Sequence, residues 1–249
     1  MELKKLVDYL DDLLNVKDFV SADVSLNGLQ VGDVDSDVRR VAFAVDACME
    51  SFKKAVDCGA QLLVVHHGLF WGRPVAVTGM HYQRISFLVE HGLALYACHL
   101  PLDAHPLLGN NVQMASALGL WDVEPFSSYH GKMIGCKGVL PKSLSVDQVC
   151  KMLNRTANAK LEFGRKLCRT VGIVSGSAAT DVICAMDENL DLFITGEPSH
   201  QVYHDCEENG MNMLCLGHYD TETFGVKALL GDVGKMGLDT CFVDVPTGL

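Results

Sequence analysis

The sequence predicts an α/β protein of two similar, intertwined α/β lobes with mainly parallel sheets. Short apolar runs alternate with helical stretches along most of the chain, which is how βα units read when both faces of a sheet are covered. Helical patterns stop at glycines, namely Gly59, Gly92 and Gly119, as helices do where the next residue turns left-handed. The second half repeats the style of the first without a clear sequence repeat, so the expected lobes are 1–124 and 125–249 within one intertwined whole. A chain of 249 residues suits one large domain or two small ones at roughly 150 residues each.

Each element follows from its pattern. Leu3, Leu6, Val7, Leu10 and Leu14 recur at helical spacing, with Lys4, Lys5, Asp8 and Asp12 opposite, predicting an opening amphipathic helix. Asn27-Gly28-Leu29-Gln30-Val31-Gly32-Asp33 reads as a loop with a short strand. Val41 to Val45 is a strand that ends at Asp46, and a helix runs from about Cys48 to Cys58. Leu62 to Val65 is a second strand, Phe70 to Gly79 a loop, His81 to His91 a helix and Leu93 to Cys98 a third strand. Asn110 to Leu118 is helical. Ser145 and Gln148 make a capping box for a helix reaching about Arg155. Val171 to Val174, Leu192 to Ile194 and Met213 to Leu216 are strands, and Asp220 to Lys235 is the last long helix.

Composition excludes several function classes. Apolar residues make up 49% and charged residues 20%, a globular balance that excludes wholesale disorder. The net charge of −11 argues against nucleic acid and membranes as partners, because both favour a basic surface. No apolar stretch approaches the ~20 residues that cross a bilayer. The first residues lack a leader's apolar run. Ten cysteines without a Cys-x-x-Cys pair argue against a thiolate zinc site and read as reduced thiols of a cytoplasmic protein.

The functional signal lies just past the strand ends, where open α/β sheets bind ligands. Four strands run into His66-His67-Gly68, into His99 to Asp103 and His105, into Thr195-Gly196-Glu197 and His200, and into Gly217-His218 to Glu222. Histidine with carboxylate suits a divalent metal such as Zn, Fe, Mn or Ni. Adjacent residues in extended chain point to opposite sides, so His66 and His67 are expected to serve two neighbouring ions. His218 and Glu222 are four apart at a helix start and share a face, and Asp103 adds a third arm. Three His and two carboxylates exceed the three ligands of one open site and suit two metals ~3.5–4 Å apart. Glu222, with two oxygens, is the expected bridge. His81, His91 and His130 read as ordinary core or surface groups. Ser175-Gly176-Ser177 reads as helix capping ahead of a phosphate site, and neither a nucleophile elbow nor a Walker loop is present.

With Ser25-Leu26-Asn27-Gly28-Leu29-Gln30-Val31-Gly32, His66-His67-Gly68-Leu69-Phe70-Trp71, His99-Leu100-Pro101-Leu102-Asp103, Gly109-Asn110-Asn111, Thr195-Gly196-Glu197 and Gly217-His218-Tyr219-Asp220-Thr221-Glu222 in that order, the chain closely resembles the YbgI-like dinuclear metal-centre proteins, the GTP cyclohydrolase 1 type 2 homologues. The resemblance covers almost the whole length and implies His66, His67, Asp103, His218 and Glu222 as metal ligands, two divalent ions per subunit and a toroidal homohexamer. The chain looks like the short form of that family, without a middle insertion. Two functions are implied. One is a metal-dependent hydrolase acting on a nucleotide-like anion such as GTP, with His99, His105, Glu197 and His200 as supporting or proton-transfer candidates. The other is a metal-insertion or metal-storage chaperone without turnover. The loop Gly68 to Gly79 and the segment Phe126 to Gly131 are candidates to line the cleft.

Overall fold

The computed structural model describes residues 1–249. The first elements are α1 (Leu3–Leu13), β1 (Gly28–Val31), β2 (Arg40–Asp46), α2 (Met49–Asp57), β3 (Leu62–His67), α3 (Gly79–Glu90), β4 (Ala94–Ala97), α4 (Leu100–Asp103) and α5 (Asn110–Ala117). Next come β5 (Trp121–Tyr129), β6 (Lys132–Leu144), α6 (Val146–Met152), β7 (Ala159–Glu162), β8 (Cys168–Ile173) and α7 (Val182–Asp187). The chain closes with β9 (Leu192–Thr195), α8 (Tyr203–Asn209), β10 (Asn212–Cys215), α9 (His218–Gly234) and β11 (Asp239–Phe242).

Contacts divide the chain into Met1–Leu102 with Val226–Val245, and Asp103–Gly225 with Pro246–Leu249. This partition differs from a division at 124/125. α5 belongs with the second unit, and the later boundary falls inside α9.

The first unit is a five-stranded sheet in the order β1-β4-β3-β2-β11. β2, β3, β4 and β11 are parallel, and β1 lies antiparallel on β4. The five middle residues of β2 are all buried, as a central strand covered on both faces requires. Ala42, Leu63, Val65 and Leu95 share one core with Phe52 of α2 and Leu88 of α3. The Cys48 thiol and the Ser51 hydroxyl cap α2 reciprocally. Gly59 (φ 75°) and Gly92 (φ 57°) follow the C-caps of α2 and α3, where the expected stops lie.

The second unit is a six-stranded sheet, β5-β6-β8-β9-β10-β7. Its centre, β8-β9-β10, is parallel, while β7 lies antiparallel on β10 and β6 antiparallel on β8. From the β7 edge inward, the order β7-β10-β9-β8 matches β1-β4-β3-β2: a short strand folds back on the third of three parallel strands. The echo between the halves is therefore topological. It is faint in the sequence because few side chains are shared.

β5 and β11 carry little apolar alternation, whereas in β6 Ile134, Cys136 and Leu140 alternate with more exposed residues and in β7 Ala159 and Leu161 alternate with Lys160 and Glu162. The first five residues of β5 are exposed, and Pro125 interrupts the run. Gly135 and Gly138 let the backbones close up: a Cβ would lie 2.5 Å from the Ile173 carbonyl oxygen at the first and 2.9 Å from that of Trp121 at the second. No helix is long and apolar enough to cross a membrane.

Ile194 is fully buried in the second core with Leu192, Val171 and Leu214. Ile194→Ala should lower unfolding stability by about 2–5 kcal/mol in urea titrations. Tyr82→Ala, at an exposed position, should stay within ~0.5 kcal/mol of the parent.

Candidate metal centre

In the first unit, three histidines meet where β3 and β4 end: His66 and His67 are the last residues of β3, and His99 follows β4. His66 Nδ1 donates to the Cys98 carbonyl oxygen (2.9 Å), His67 Nδ1 to Asp46 Oδ1 (2.8 Å) and His99 Nδ1 to Asp23 Oδ1 (3.0 Å). Each acceptor is an oxygen, so Nδ1 carries the proton and Nε2 is left as the basic nitrogen in the neutral ring. Asp46 reaches His67 because the two are register partners at the ends of β2 and β3. Ring centroids are 4.7 Å apart for His66–His67, 5.2 Å for His66–His99 and 5.7 Å for His67–His99. A ligand atom from each of the three lies within 4.8 Å of the others.

The two rings of His66 and His67 lie side by side, His67 held by Asp46 on one flanking strand and His66 by the residue that follows β4 on the other.

The Asn27-Gly28-Leu29-Gln30 motif serves this cluster. Asn27 Oδ1 accepts from the His99 backbone N–H (2.7 Å), and its amide nitrogen donates to Asp23 Oδ2 (2.9 Å). Asp23 also accepts from the backbone N–H groups of Ser25 and Leu100. Burial alone would raise the Asp23 carboxyl pKa, but the hydrogen bond and charge of His99, with Asn27 and the Ser25 amide, hold it below the ordinary carboxylate range. Gln30 Oε1 accepts from the Leu69 N–H (2.7 Å). Gly68 is needed there, since a Cβ would stand 2.3 Å from Gln30 Nε2 and 2.6 Å from Ala97 Cβ. Trp71 donates from Nε1 to the Gly68 carbonyl and meets His99 edge-on at 5.1 Å.

In the second unit, Asp103 Oδ1 accepts from Asn110 Nδ2 (2.8 Å) and Ser175 Oγ (2.9 Å). Asn110 Oδ1 accepts from the Gly225 N–H and Asn111 Oδ1 from the Ser175 N–H, both at 2.7 Å. Ser175 thus positions a carboxylate, a use that its reading as a helix cap did not foresee. Gly176 follows at φ 68°, where a Cβ would fall 2.5 Å from Glu222 Oε1. α9 begins at His218, which places His218 and Glu222 one turn apart, with His218 Nε2 3.0 Å from Glu222 Oε1. His218 Nδ1 bonds Glu197 Oε1 at 2.5 Å, and Glu197 Oε2 accepts from Ser177 Oγ.

Burial opposes a charge on His218, but hydrogen bonds to and charges on Glu222 and Glu197 outweigh it and push the pKa up to about 9. The surroundings of this ring favour a positive charge, which a proton supplies in the metal-free chain and which a cation can replace.

Other expected residues have different surroundings. His105 Nδ1 accepts from the N–H groups of Leu107 and Leu108, so it builds a turn. That turn borders a cavity of about 330 Å³ lined by Asp103, His105, Val112, Val123, Pro125 and Met133. His200 is exposed on the short turn before α8. Phe126 is fully buried beside Phe193, so it packs a core and lines no cleft. Sequence reasoning missed Asp23 and Asp46. The one available signal was that the strand Val41 to Val45 ends in an acid.

Histidines whose Nδ1 protons are taken up by carboxylate or carbonyl oxygens, beside buried carboxylates, are what metal sites use to orient their ligands. The donor set fits a borderline divalent ion.

The chain matches the family model described as Duf34/NIF3 (NGG1p interacting factor 3) over residues 1–247. It is 43% identical over 250 residues to a "GTP cyclohydrolase 1 type 2 homolog" from Archaeoglobus fulgidus, covering 100% of both chains. Among solved structures, TTHA1606 from Thermus thermophilus is 42% identical with a TM-score of 0.90, covering 100% of both chains. The protein ybgI, of unknown function by its own description, is 30% identical with a TM-score of 0.91 over 100% of both.

Asp46→Asn keeps the size of the group that orients His67 and removes its charge. Divalent-metal affinity should fall by ~10–100-fold in competition titrations with a chromophoric chelator, while the far-ultraviolet circular dichroism stays unchanged. Unaltered affinity would show that Asp46 does not orient a ligand.

Proposed function

This chain belongs to the Duf34/NIF3 family, and from that premise we propose that it holds two divalent metal ions through His66, His67, Asp103, His218 and Glu222 and acts as a hydrolase on a nucleotide-like anion. The observation that carries this reading is the set of anchored imidazoles. Cys98, Asp46 and Glu197 accept the Nδ1 protons of His66, His67 and His218, so the chain invests buried and half-buried oxygen acceptors in aiming these rings. When bound, two such ions supply Lewis acidity to a substrate oxygen and make water acidic enough to ionise near neutral pH.

The residues supply the rest. Ser175 and Asn110 hold the Asp103 carboxylate still, and Gly176 gives the Glu222 carboxylate room. Asp103 and Glu222 would offset two of the four positive charges of two divalent ions, and Asp23, Asp46 and Glu197 stand behind the imidazoles, so an anionic substrate would be recognised by the ions themselves and not by a net positive surround. The cavity bordered by Asp103 reaches the lower end of the usual small-ligand range, roughly 300–1,000 Å³. It favours turnover over storage, because a carrier needs exchangeable metal and a partner surface in place of a substrate pocket. The relatives' name, "GTP cyclohydrolase 1 type 2 homolog", supports GTP as the first nucleotide to test, with opening of the guanine imidazole ring as the reaction. Ten cysteines, none of them in a disulfide, support a reducing, cytoplasmic setting.

Elemental analysis after reconstitution should approach two divalent ions per chain. The loaded chain should then turn over a member of a nucleotide panel, and Asp103→Ala should abolish that turnover. Transfer of metal to an apo-enzyme without turnover of any nucleotide would replace the hydrolase with a carrier.

We further propose a closed homohexamer, on the family resemblance. Light scattering should give about six times the 27.1 kDa chain mass, and a concentration-independent monomer would remove it.

A further inference from the structure

We propose that Trp71 is the stacking platform for the planar heterocyclic base of the substrate. The proposal rests on the nucleotide reading above and deepens it, naming the part of the ligand that the chain grips through a side chain of its own.

Three observations carry it. The first is place. The indole centroid lies 5.1 Å from that of His99, edge-on at 77°, and 5.9 Å from that of His67 at 49°. An aromatic side chain therefore borders the imidazole cluster within the first unit. The reaction named above opens the base itself, so the base has to come up beside that cluster.

The second is anchorage. Indole Nε1 donates to the Gly68 carbonyl oxygen (3.0 Å). The Trp71 backbone pairs with Ser25 in an antiparallel bridge, and beside it the Leu26 N–H donates to the Phe70 carbonyl oxygen (2.9 Å). Gly72 follows at φ 64°, where a Cβ would stand 3.3 Å from both Val24 Cβ and the Val24 carbonyl oxygen. The ring is thus held by its own nitrogen and by the chain on either side of it. A side chain fixed before the ligand arrives loses little freedom when the ligand stacks on it.

The third is what the ring has left to offer. Trp71 is 37% exposed, so it fills no closed core. Its single polar hydrogen is spent on Gly68. What remains is apolar π surface, on which any base can stack and which reads no base edge. Trp71 therefore confers affinity for planar rings as a class and leaves the choice among bases to other groups.

The test reads Trp71 directly. The chain has two tryptophans, and Trp121 is 58% exposed on β5, so Trp121→Phe leaves Trp71 as the only indole. This variant is loaded with zinc, a d¹⁰ ion without redox chemistry, and excited at the red edge of the indole band. It is titrated with guanosine, GTP and inorganic tripolyphosphate, and binding of each is measured in parallel by equilibrium dialysis. Guanosine and GTP should quench Trp71, whereas tripolyphosphate should not. Trp71→Leu in the otherwise unaltered chain should weaken guanosine binding by ~10-fold or more with tripolyphosphate binding and zinc content unchanged. Trp71→Phe, which keeps a π face, should retain most of the guanosine affinity.

GTP that binds in dialysis without quenching Trp71 would overturn the proposal and leave the nucleotide reading standing. So would equal guanosine affinity in folded Trp71→Leu, or an equal loss of guanosine and tripolyphosphate, which marks a general structural role. Failure of the zinc-loaded parent to bind either guanosine or GTP would overturn the nucleotide reading and the platform together, so the two failures are distinguishable.

Discussion

Three parallel strands in a row cannot be joined by tight turns. Each crossover must carry the chain back to the starting edge, so all three strands finish on the same side with their loops free. The candidate site depends on this constraint. In the first unit β2, β3 and β4 end at Asp46, His67 and Ala97, and the polar residues that follow fall along one edge. In the second, β8, β9 and β10 run into Ser175, Glu197 and His218. Residues far apart in the chain, such as Asp46 and His67, become neighbours through strand register alone.

That constraint also explains what the sequence could reveal. Strands buried on both faces are continuous apolar runs, so Val41 to Val45 and Leu62 to Val65 were legible. So were the helix stops, because Gly59, Gly92 and Gly119 mark positions that need a left-handed turn. The β5–β6 hairpin was illegible because its strands meet through glycines and show solvent a mixed face. The five expected ligands stood out because they lie at or just past apolar runs that read as strands. Asp23 did not, since its tie to His99 spans 76 residues and a lone acid near a chain start has no pattern.

The electrostatics of both clusters follow one logic. Buried acids are tolerated where several donors share them, and each acid then sets the state of an imidazole. Asp23 accepts four hydrogen bonds and keeps its charge despite burial. Glu222 and Glu197 flank His218 from opposite nitrogens and favour a cation between them. Glycine is the complement of this crowding. At Gly68 and Gly176 the absent side chain is the space that a neighbouring amide or carboxylate fills.

The shared strand order of the two sheets has a consequence for how such a chain diverges. A repeated scaffold supplies the same mounting points twice, and each copy is free to specialise. Here one copy mounts mostly nitrogen and the other mostly oxygen: three imidazoles in the first unit, one imidazole with two carboxylates in the second. Softer ions prefer the former company and harder ions the latter. Drift at one set of mounting points would change the donor atoms there while leaving the other set, and the fold beneath both, intact.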